Sequence, residues 1–440
     1  MFRYYLKLAL LSTRKNPMLS VLMVAAIAIG IGACMTVLTV FYVMSGDPIP
    51  SKSSQLYYVQ LDSWDPNNPY DDETDLPPDQ VTYLDATALL DAAMASRQAI
   101  AYRVGRVIEP GGDEARPFEV SGRATTADFF AMFDVPFLFG GGWSADADRN
   151  TERVVVLSRV MNERVFGGAD STGERLVMNG ESYRVAGVLS DWNPVPKFYD
   201  VTTNPFDDVE DVFFPFSVAI ENELNGWGNT NCWKPVPDGG WASFLNSECI
   251  WMQFWVELET REAAAEYLAF LDGYVASQKE LGRFPRPLNN RLSNVTDHLA
   301  EQEVVDEGVQ ILLVLAILFL LVCLLNTVGL LLAKVLRRTG DISLRRALGA
   351  SQRAVFSQYI VEAGLVGVTG GVVGIGVTWL GLVGIQALFR GQDFVQKLAQ
   401  MDWVMLCAAI GLALVSALAA ALYPTWRAVR VHPAAQLKAL

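Results

Sequence analysis

Val309-Gln-Ile-Leu-Leu-Val-Leu-Ala-Ile-Leu-Phe-Leu-Leu-Val-Cys-Leu-Leu-Asn-Thr-Val-Gly-Leu-Leu-Leu-Ala333 runs for 25 residues without an Asp, Glu, Lys or Arg. About 20 apolar residues of helix cross the ~30 Å hydrocarbon core of a bilayer, so this stretch reads as a transmembrane helix. Outward from it lie three more apolar spans, Met18–Met44 on the N-terminal side and Ala354–Phe389 and Trp403–Tyr423 on the C-terminal side. Four such spans exclude an ordinary soluble enzyme. The fold class expected is an α-helical membrane protein with four transmembrane helices, one before and three after a large mixed α+β extracytoplasmic domain.

Charge orients the spans. The tail before the first span, the 334–353 loop and the segment after the last span together hold 13 basic residues and a single acid, Asp341. The segment 45–307 holds 19 basic and 44 acidic residues, a net of −25. The positive-inside rule then places both termini and the 334–353 loop in the cytoplasm, with 45–307 outside. The expected order is a cytoplasmic amphipathic helix over 1–17, spans at 18–44, 308–333, 354–389 and 403–423, a short outer loop at 390–402 and a cytoplasmic tail at 424–440. At 27 residues, the first span exceeds the 7–15 of a signal h-region, and no convincing cleavage site follows it. In the tail before it, Phe2, Tyr5, Leu6, Ala9 and Leu10 share a helical face, which suits either an interfacial helix or the start of the span. The third span would make about 54 Å of helix, so it either projects beyond the bilayer or bends near Gly370-Gly371.

Small residues recur in the spans. Gly367 and Gly371, like Gly370 and Gly374, form small-xxx-small pairs, and Gly30 follows Ala26. Such ridges let helices approach closely. Gly30, Gly367, Gly371 and Gly374 are candidates for packing within the bundle or for a dimer seam. Glu362 is an acid inside the third span. An ionisable group there needs a partner, and the nearby cytoplasmic arginines are the simplest.

The outer segment mixes strand and helix signals. Arg153–Leu157 reads as a buried strand, Ser158 as the cap of a short helix ending at Gly167-Gly168, and Leu176–Val188 as a hairpin turning on Asn179-Gly180. Asp128–Phe133 and Glu257–Glu280 read as helices. The loop-rich stretch 194–255 reads as an inserted lobe, where Trp227, Trp233 and Trp241 either line a substrate or partner surface or fill the lobe's core. Cys232 and Cys249 are the two cysteines of the outer segment and form a candidate disulfide, the alternative being two buried thiols.

Catalytic signals are missing. No G-x-x-x-x-G-K-[ST] loop and no G-x-S-x-G elbow occurs, and the two histidines, His298 and His432, lie in different compartments. The acidic run Asp62–Asp79 lacks the ordered spacing of a calcium loop and reads as a solvated loop. No catalytic, metal or cofactor site is expected on this chain, and no nucleic-acid partner.

Arg338-Thr-Gly-Asp-Ile-Ser-Leu-Arg-Arg-Ala-Leu-Gly-Ala350, then Ser351-Gln-Arg-Ala-Val355 and Glu362-Ala363, resembles the loop between the second and third spans of MacB/FtsX-type ABC transporter permeases. So does Tyr423-Pro-Thr-Trp-Arg-Ala-Val-Arg-Val-His-Pro-Ala-Ala435. In the outer segment, Asp128–Pro136, Arg153–Ser158, Val165-Phe-Gly-Gly168 and Leu176–Asp191 resemble the family's periplasmic core domain. Gly340, Asp341 and Ser343 stand where the family often has a basic residue, Glu and Gly. The resemblance implies a permease subunit of a mechanotransmitting transporter in the bacterial inner membrane, which exports a peptide, lipoprotein, lipid or drug. The alternative it leaves is a regulator that activates a periplasmic hydrolase or sensor and moves no substrate. It implies a cytoplasmic ABC ATPase dimer carrying ATP and Mg as separate subunits, a second permease copy or paralogue, contact with membrane lipids, and in some relatives a periplasmic adaptor and outer-membrane duct. Asp341, Ile342, Leu344, Arg345, Arg346, Leu348 and Gly349 would form the helix that meets the ATPase.

Overall fold

Asn16 and Pro17 break the N-terminal segment into two helices. Asn16 leaves helical geometry at φ −133°, and Pro17 starts the next helix, where its missing N–H is no loss. The tail is therefore a helix of its own, α1 (Phe2–Lys15), followed by α2 (Pro17–Met44). The computed structural model describes residues 2–71, 75–110, 116–337, 339–388 and 403–429. The loop expected at 390–402 and the tail beyond 429 lie outside them. The chain divides into two units, Gly46–Val304 and a helical unit made of Met1–Ser45 with Val305–Leu440.

The unit Gly46–Val304 is built on an eleven-stranded mixed sheet. Its strands are β1 (Leu56–Gln60), β2 (Val81–Thr82), β3 (Arg97–Glu109), β4 (Phe118–Thr125), β5 (Phe137–Gly140), β6 (Val154–Leu157), β7 (Arg175–Met178), β8 (Glu181–Leu189), β9 (Val212–Pro215), β10 (Ile250–Glu257) and β11 (Arg291–Asn294). The order is β11-β1-β10-β3-β4-β9-β6-β8-β5, with β2 on β10 and β7 joining β3 and β8. Around it lie α3 (Tyr83–Ala92), α4 (Asp128–Met132), α5 (Ala145–Arg149), α6 (Arg159–Phe166), α7 (Phe216–Glu221), α8 (Trp241–Leu245), α9 (Arg261–Glu280) and α10 (Val295–Glu301).

Local chemistry explains much of this. All four residues of β6 are buried, as a central strand requires. Ser158 Oγ then accepts the Met161 N–H at 3.1 Å, and α6 ends on Gly167 at φ +67°. Asn179 and Gly180, at φ +49° and +79°, turn β7 into β8 with the twist a two-residue hairpin prefers. The long helix starts later than its apolar spacing suggests. Glu257 still belongs to β10, and Thr260 caps α9 by accepting the Ala263 N–H at 3.1 Å. The stretch 194–255 is not a lobe set apart from the rest. β9 pairs parallel with β4, and β10 lies between β1 and β3. Val212-Phe-Phe-Pro215 and Ile250–Glu257 are buried throughout, so they show no alternation that would have marked them as strands. One face of the sheet packs Ile100, Tyr102 and Phe254 with Leu271 of α9; the other packs Tyr58, Phe129, Phe213 and Trp255.

In the helical unit follow α11 (Glu307–Leu336), α12 (Thr339–Ala347), α13 (Gln352–Leu388) and α14 (Trp403–Val429). Among the described residues four helices are long and apolar enough to cross a membrane, α2, α11, α13 and α14. α13 continues through Gly370 and Gly371 as one unbroken helix of 37 residues. α2 packs against α11 and α13, and α14 against α13 and α11.

Candidate functional site

The short helix α12 lies between two long ones and is stopped by a specific device. Gly349 adopts φ +100°, the Ala350 N–H bonds Arg345 O at 3.0 Å, and the Gly349 N–H bonds Arg346 O at 3.1 Å. That is a Schellman ending with glycine at the left-handed position. Leu344 and Leu348, four apart and so on one face, are 56% and 80% exposed, while Ser343 is buried. Arg345 is also exposed and donates from Nη1 to Gln358 Oε1 of α13 at 3.0 Å. The backbone of Asp341 and Ile342 lies on the same helix, and Arg346 is half-buried. Two exposed leucines flanked by guanidinium groups make a compact surface with apolar and cationic parts.

Among the described residues Glu362 pairs with a lysine rather than with the arginines expected. Its partner is Lys334, at 2.5 Å, both side chains being 2% exposed. α11 continues three residues past the expected end of its span, which carries Lys334 into the bundle and leaves Arg337 exposed. A buried carboxylate selects the cation that can be buried with it. Ser12 Oγ of α1 donates to Glu362, and Lys334 Nζ lies 3.4 Å from Ser20 Oγ of α2. Four helices thus meet at one ion pair.

The four ridge glycines face neighbours in this chain. A Cβ on Gly30 would sit 2.9 Å from Cys323 Cβ of α11, and one on Gly371 2.7 Å from Ala413 Cβ of α14. Gly367 faces Ala417, and Gly374 faces Ala28 and Ile31 of α2.

In the other unit, Cys232 and Cys249 are joined as a disulfide, beside the Asn231–Ile250 bridge. The three tryptophans differ. Trp241 donates to Ile220 O at 3.1 Å and its ring packs on Phe244 and Trp251, as part of the core's margin. Trp233 donates to Ser63 O at 2.9 Å under the ammonium of Lys234. Trp227 is 44% exposed, with the Arg103 guanidinium 5.2 Å from its ring centre. The three do not form one continuous aromatic lining.

Sequence reasoning missed a buried charge cluster. Arg123 of β4 contacts Asp200 and Glu210, the latter at 2.5 Å, and Lys197 Nζ lies 3.3 Å from Glu210, all four side chains being fully buried. Tyr199 donates to Glu210 at 3.0 Å, and Gln253 to Asp200 at 3.2 Å. Burial raises Glu210 and Asp200, but Arg123 and Lys197 outweigh it and hold both carboxyls below their ordinary range. Two cations against two anions, with added hydrogen bonds, make a neutral structural clamp rather than a reactive site. The only hint in the sequence is one arginine inside an otherwise uncharged strand core. At the two ends of the acidic run, Asp62 pairs with Arg286 at 2.9 Å and Asp79 accepts the Tyr70 hydroxyl at 2.6 Å. Among the described residues no group of three or more His, Cys, Asp and Glu is placed to hold a metal ion.

Comparison with known families decides what these units are. A family model described as the MacB-like periplasmic core domain matches residues 20–268, more than half of the chain. The chain belongs to the MacB/FtsX-type ABC transporter permease family. A second model, the FtsX-like permease C-terminal region, matches residues 313–433. The macrolide export ATP-binding/permease protein MacB of Psychrobacter arcticus is 21% identical over 293 residues, covering 61% of this chain and 42% of the relative. The pyoverdine export ATP-binding/permease protein PvdT of Pseudomonas entomophila is 24% identical over 277 residues, covering 63% of this chain and 37% of the relative. The chain therefore spans less than half the length of these curated relatives. The periplasmic region of MacB from Actinobacillus actinomycetemcomitans aligns with 57% of this chain and 94% of its own length, at 14% identity and a TM-score of 0.37.

Proposed function

We propose that this family member is the permease subunit of a mechanotransmitting ABC transporter, coupling ATP hydrolysis on a separate cytoplasmic ATP-binding subunit to movement of its periplasmic unit. The observation that carries this reading is the exposed Leu344–Leu348 face of α12, ended by Gly349. An isolated pair of exposed leucines beside Arg345 suits an apolar groove with an acidic rim on a protein partner. In this reading ATP and Mg are held by that partner.

The helical unit offers a route for the push. α12 joins α11 to α13, and the Lys334–Glu362 pair binds the same two helices together, with α1 and α2 attached through Ser12 and Ser20. Displacing α12 then moves the bundle as a body rather than bending one helix. The charge pattern supports four crossings in a one-plus-three arrangement, with both termini and α12 in the cytoplasm of a bacterial inner membrane and 45–307 in the periplasm. A second copy or paralogue completes the pair facing two ATPase subunits. The cargo is a peptide, lipoprotein, lipid or drug. The relatives named for macrolide and pyoverdine export weigh for transport over regulation without cargo.

The test is affinity purification of the tagged chain in mild detergent, read by mass spectrometry, beside the Leu344→Asp, Leu348→Asp double variant. An ATP-binding subunit recovered with the wild type and lost from the variant is expected. Equal recovery with both would overturn the role of α12.

A further inference from the structure

We infer that the free face of α1 is a binding surface for anionic phospholipid headgroups, on the leaflet where α2 begins. The inference rests on reading α2, α11, α13 and α14 as membrane spans. It does not need α12 to meet an ATPase.

The rotation of α1 about its own axis is fixed by its buried side. Ala9 and Ser12 are buried, α1 packs against α13, and Ser12 Oγ donates to Glu362 of that helix. Tyr5, on the same side, is half-buried. The opposite side is left free and presents Arg3, Tyr4, Lys7, Leu10 and Leu11, all exposed. Arg3, Lys7 and Leu10 fall at i, i+4 and i+7 and make one row; Tyr4 and Leu11, at i and i+7, make the row beside it. The helix sequence also holds Arg14 and Lys15, and no Asp or Glu occurs between Phe2 and Lys15.

Two properties select a lipid surface as the occupant. The first is charge complementarity. A row of cations with no acid on the same helix attracts phosphate headgroups, and each Lys or Arg held near an anionic membrane adds to that attraction. The second is continuity with the spans. α1 gives way to α2 at Asn16-Pro17, and the first turns of α2 expose the apolar side chains Met18, Val21 and Leu22. The Tyr4–Leu11 row therefore lies one helix break away from a surface that acyl chains cover. A helix at this level turns Tyr4 and Leu11 toward the acyl boundary while Arg3 and Lys7 reach the phosphates, their aliphatic stems lying along the apolar flank. An acidic groove on a protein would match the charge of α1 but not its continuity with the exposed side of α2.

The test uses the full chain in nanodiscs made of equal parts phosphatidylcholine and phosphatidylglycerol. A benzophenone amino acid replaces Leu11 on the free face or, as reference, Val322 on α11, and the captured lipid is identified by mass spectrometry. Position 11 is expected to capture phosphatidylglycerol over phosphatidylcholine by about threefold or more, and position 322 to capture the two about equally. Arg3→Gln with Lys7→Gln should bring the ratio at position 11 to about one. Salt at about 0.5 M should do the same, since it screens exposed charge without altering the chain. Equal capture of both lipids at position 11, or no lipid there while position 322 captures it, would overturn the headgroup site and leave the spans standing. So would capture, in living cells, of an ATP-binding subunit or a second copy of the chain at position 11 in place of lipid. No lipid at position 322 would overturn the span reading, and the inference with it.

Discussion

Arg123 shows what one buried charge does in this molecule. It holds two carboxylates from a loop that would otherwise carry uncompensated charge into the interior. Removing one partner of such a group typically costs about 3–5 kcal/mol, because the remaining charges stay buried. Arg123→Leu should therefore lower stability by about that amount, measured as the shift of the thermal unfolding transition; a shift near zero would show that the clamp is dispensable. His298 acts in the opposite sense. It is 1% exposed, stacked 4.0 Å from Tyr58, and burial lowers it to about 3. Its unfolded value is about 6.5. Above that pH the imidazole is neutral in both states and adds no pH dependence. As pH falls below it, the unfolded chain takes up a proton that the folded chain refuses, so stability is lost progressively towards pH 3. At pH 5 the linked loss is about 2 kcal/mol. His298→Phe should remove it, so the variant's stability relative to wild type should rise by about that much between pH 7.5 and pH 5. Asp79 and Asp148 are shifted upward by burial and act oppositely, which is why the difference between the two proteins is the quantity to read. A difference that does not change with pH would contradict a neutral buried His298.

At the scale of elements, the fold depends on close approach and on cross-links. Gly371 meets Ala413 of α14, whereas Gly376, five residues on along the same helix, has open space where a Cβ would go. Gly371→Leu should separate α13 from α14 and reduce the yield of monodisperse protein, and Gly376→Leu should not. The reverse pattern, read by size-exclusion chromatography, would move the tight packing to another face. The Cys232–Cys249 disulfide spans 17 residues. A loop of that size is worth about 3 kcal/mol in the chain-entropy account, so Cys232→Ser with Cys249→Ser should lower the thermal midpoint measurably. An unchanged midpoint would show that the neighbouring bridge suffices. Elements differ in how legible they are for a physical reason. The strand, cap and helix from Val154 to Gly167 were readable because each signal acts within a few residues. The Gly349 stop was readable for the same reason. β9 and β10 were not, since they pair with β4 and β1, far away in the chain, and being buried on both faces they carry no alternation. The Arg123 clamp was invisible because its partners lie 77 and 87 residues away.

At the scale of the whole chain, the apolar runs were the most legible feature, because some 20 residues without charge have no comfortable place in a soluble protein. Their internal contacts were less so. The partner of Glu362 changed from arginine to Lys334 because α11 runs on past the end of its apolar run, which composition alone does not reveal. The proposed function rests on α12 meeting an ATP-binding subunit, and the most direct measurement is site-specific photo-crosslinking in living cells. A benzophenone amino acid would replace Leu348, with a control at Val322, exposed on α11. The account predicts that position 348 captures an ATP-binding subunit, identified by mass spectrometry, and that position 322 does not. Capture at neither position, or equal capture at both, would contradict it.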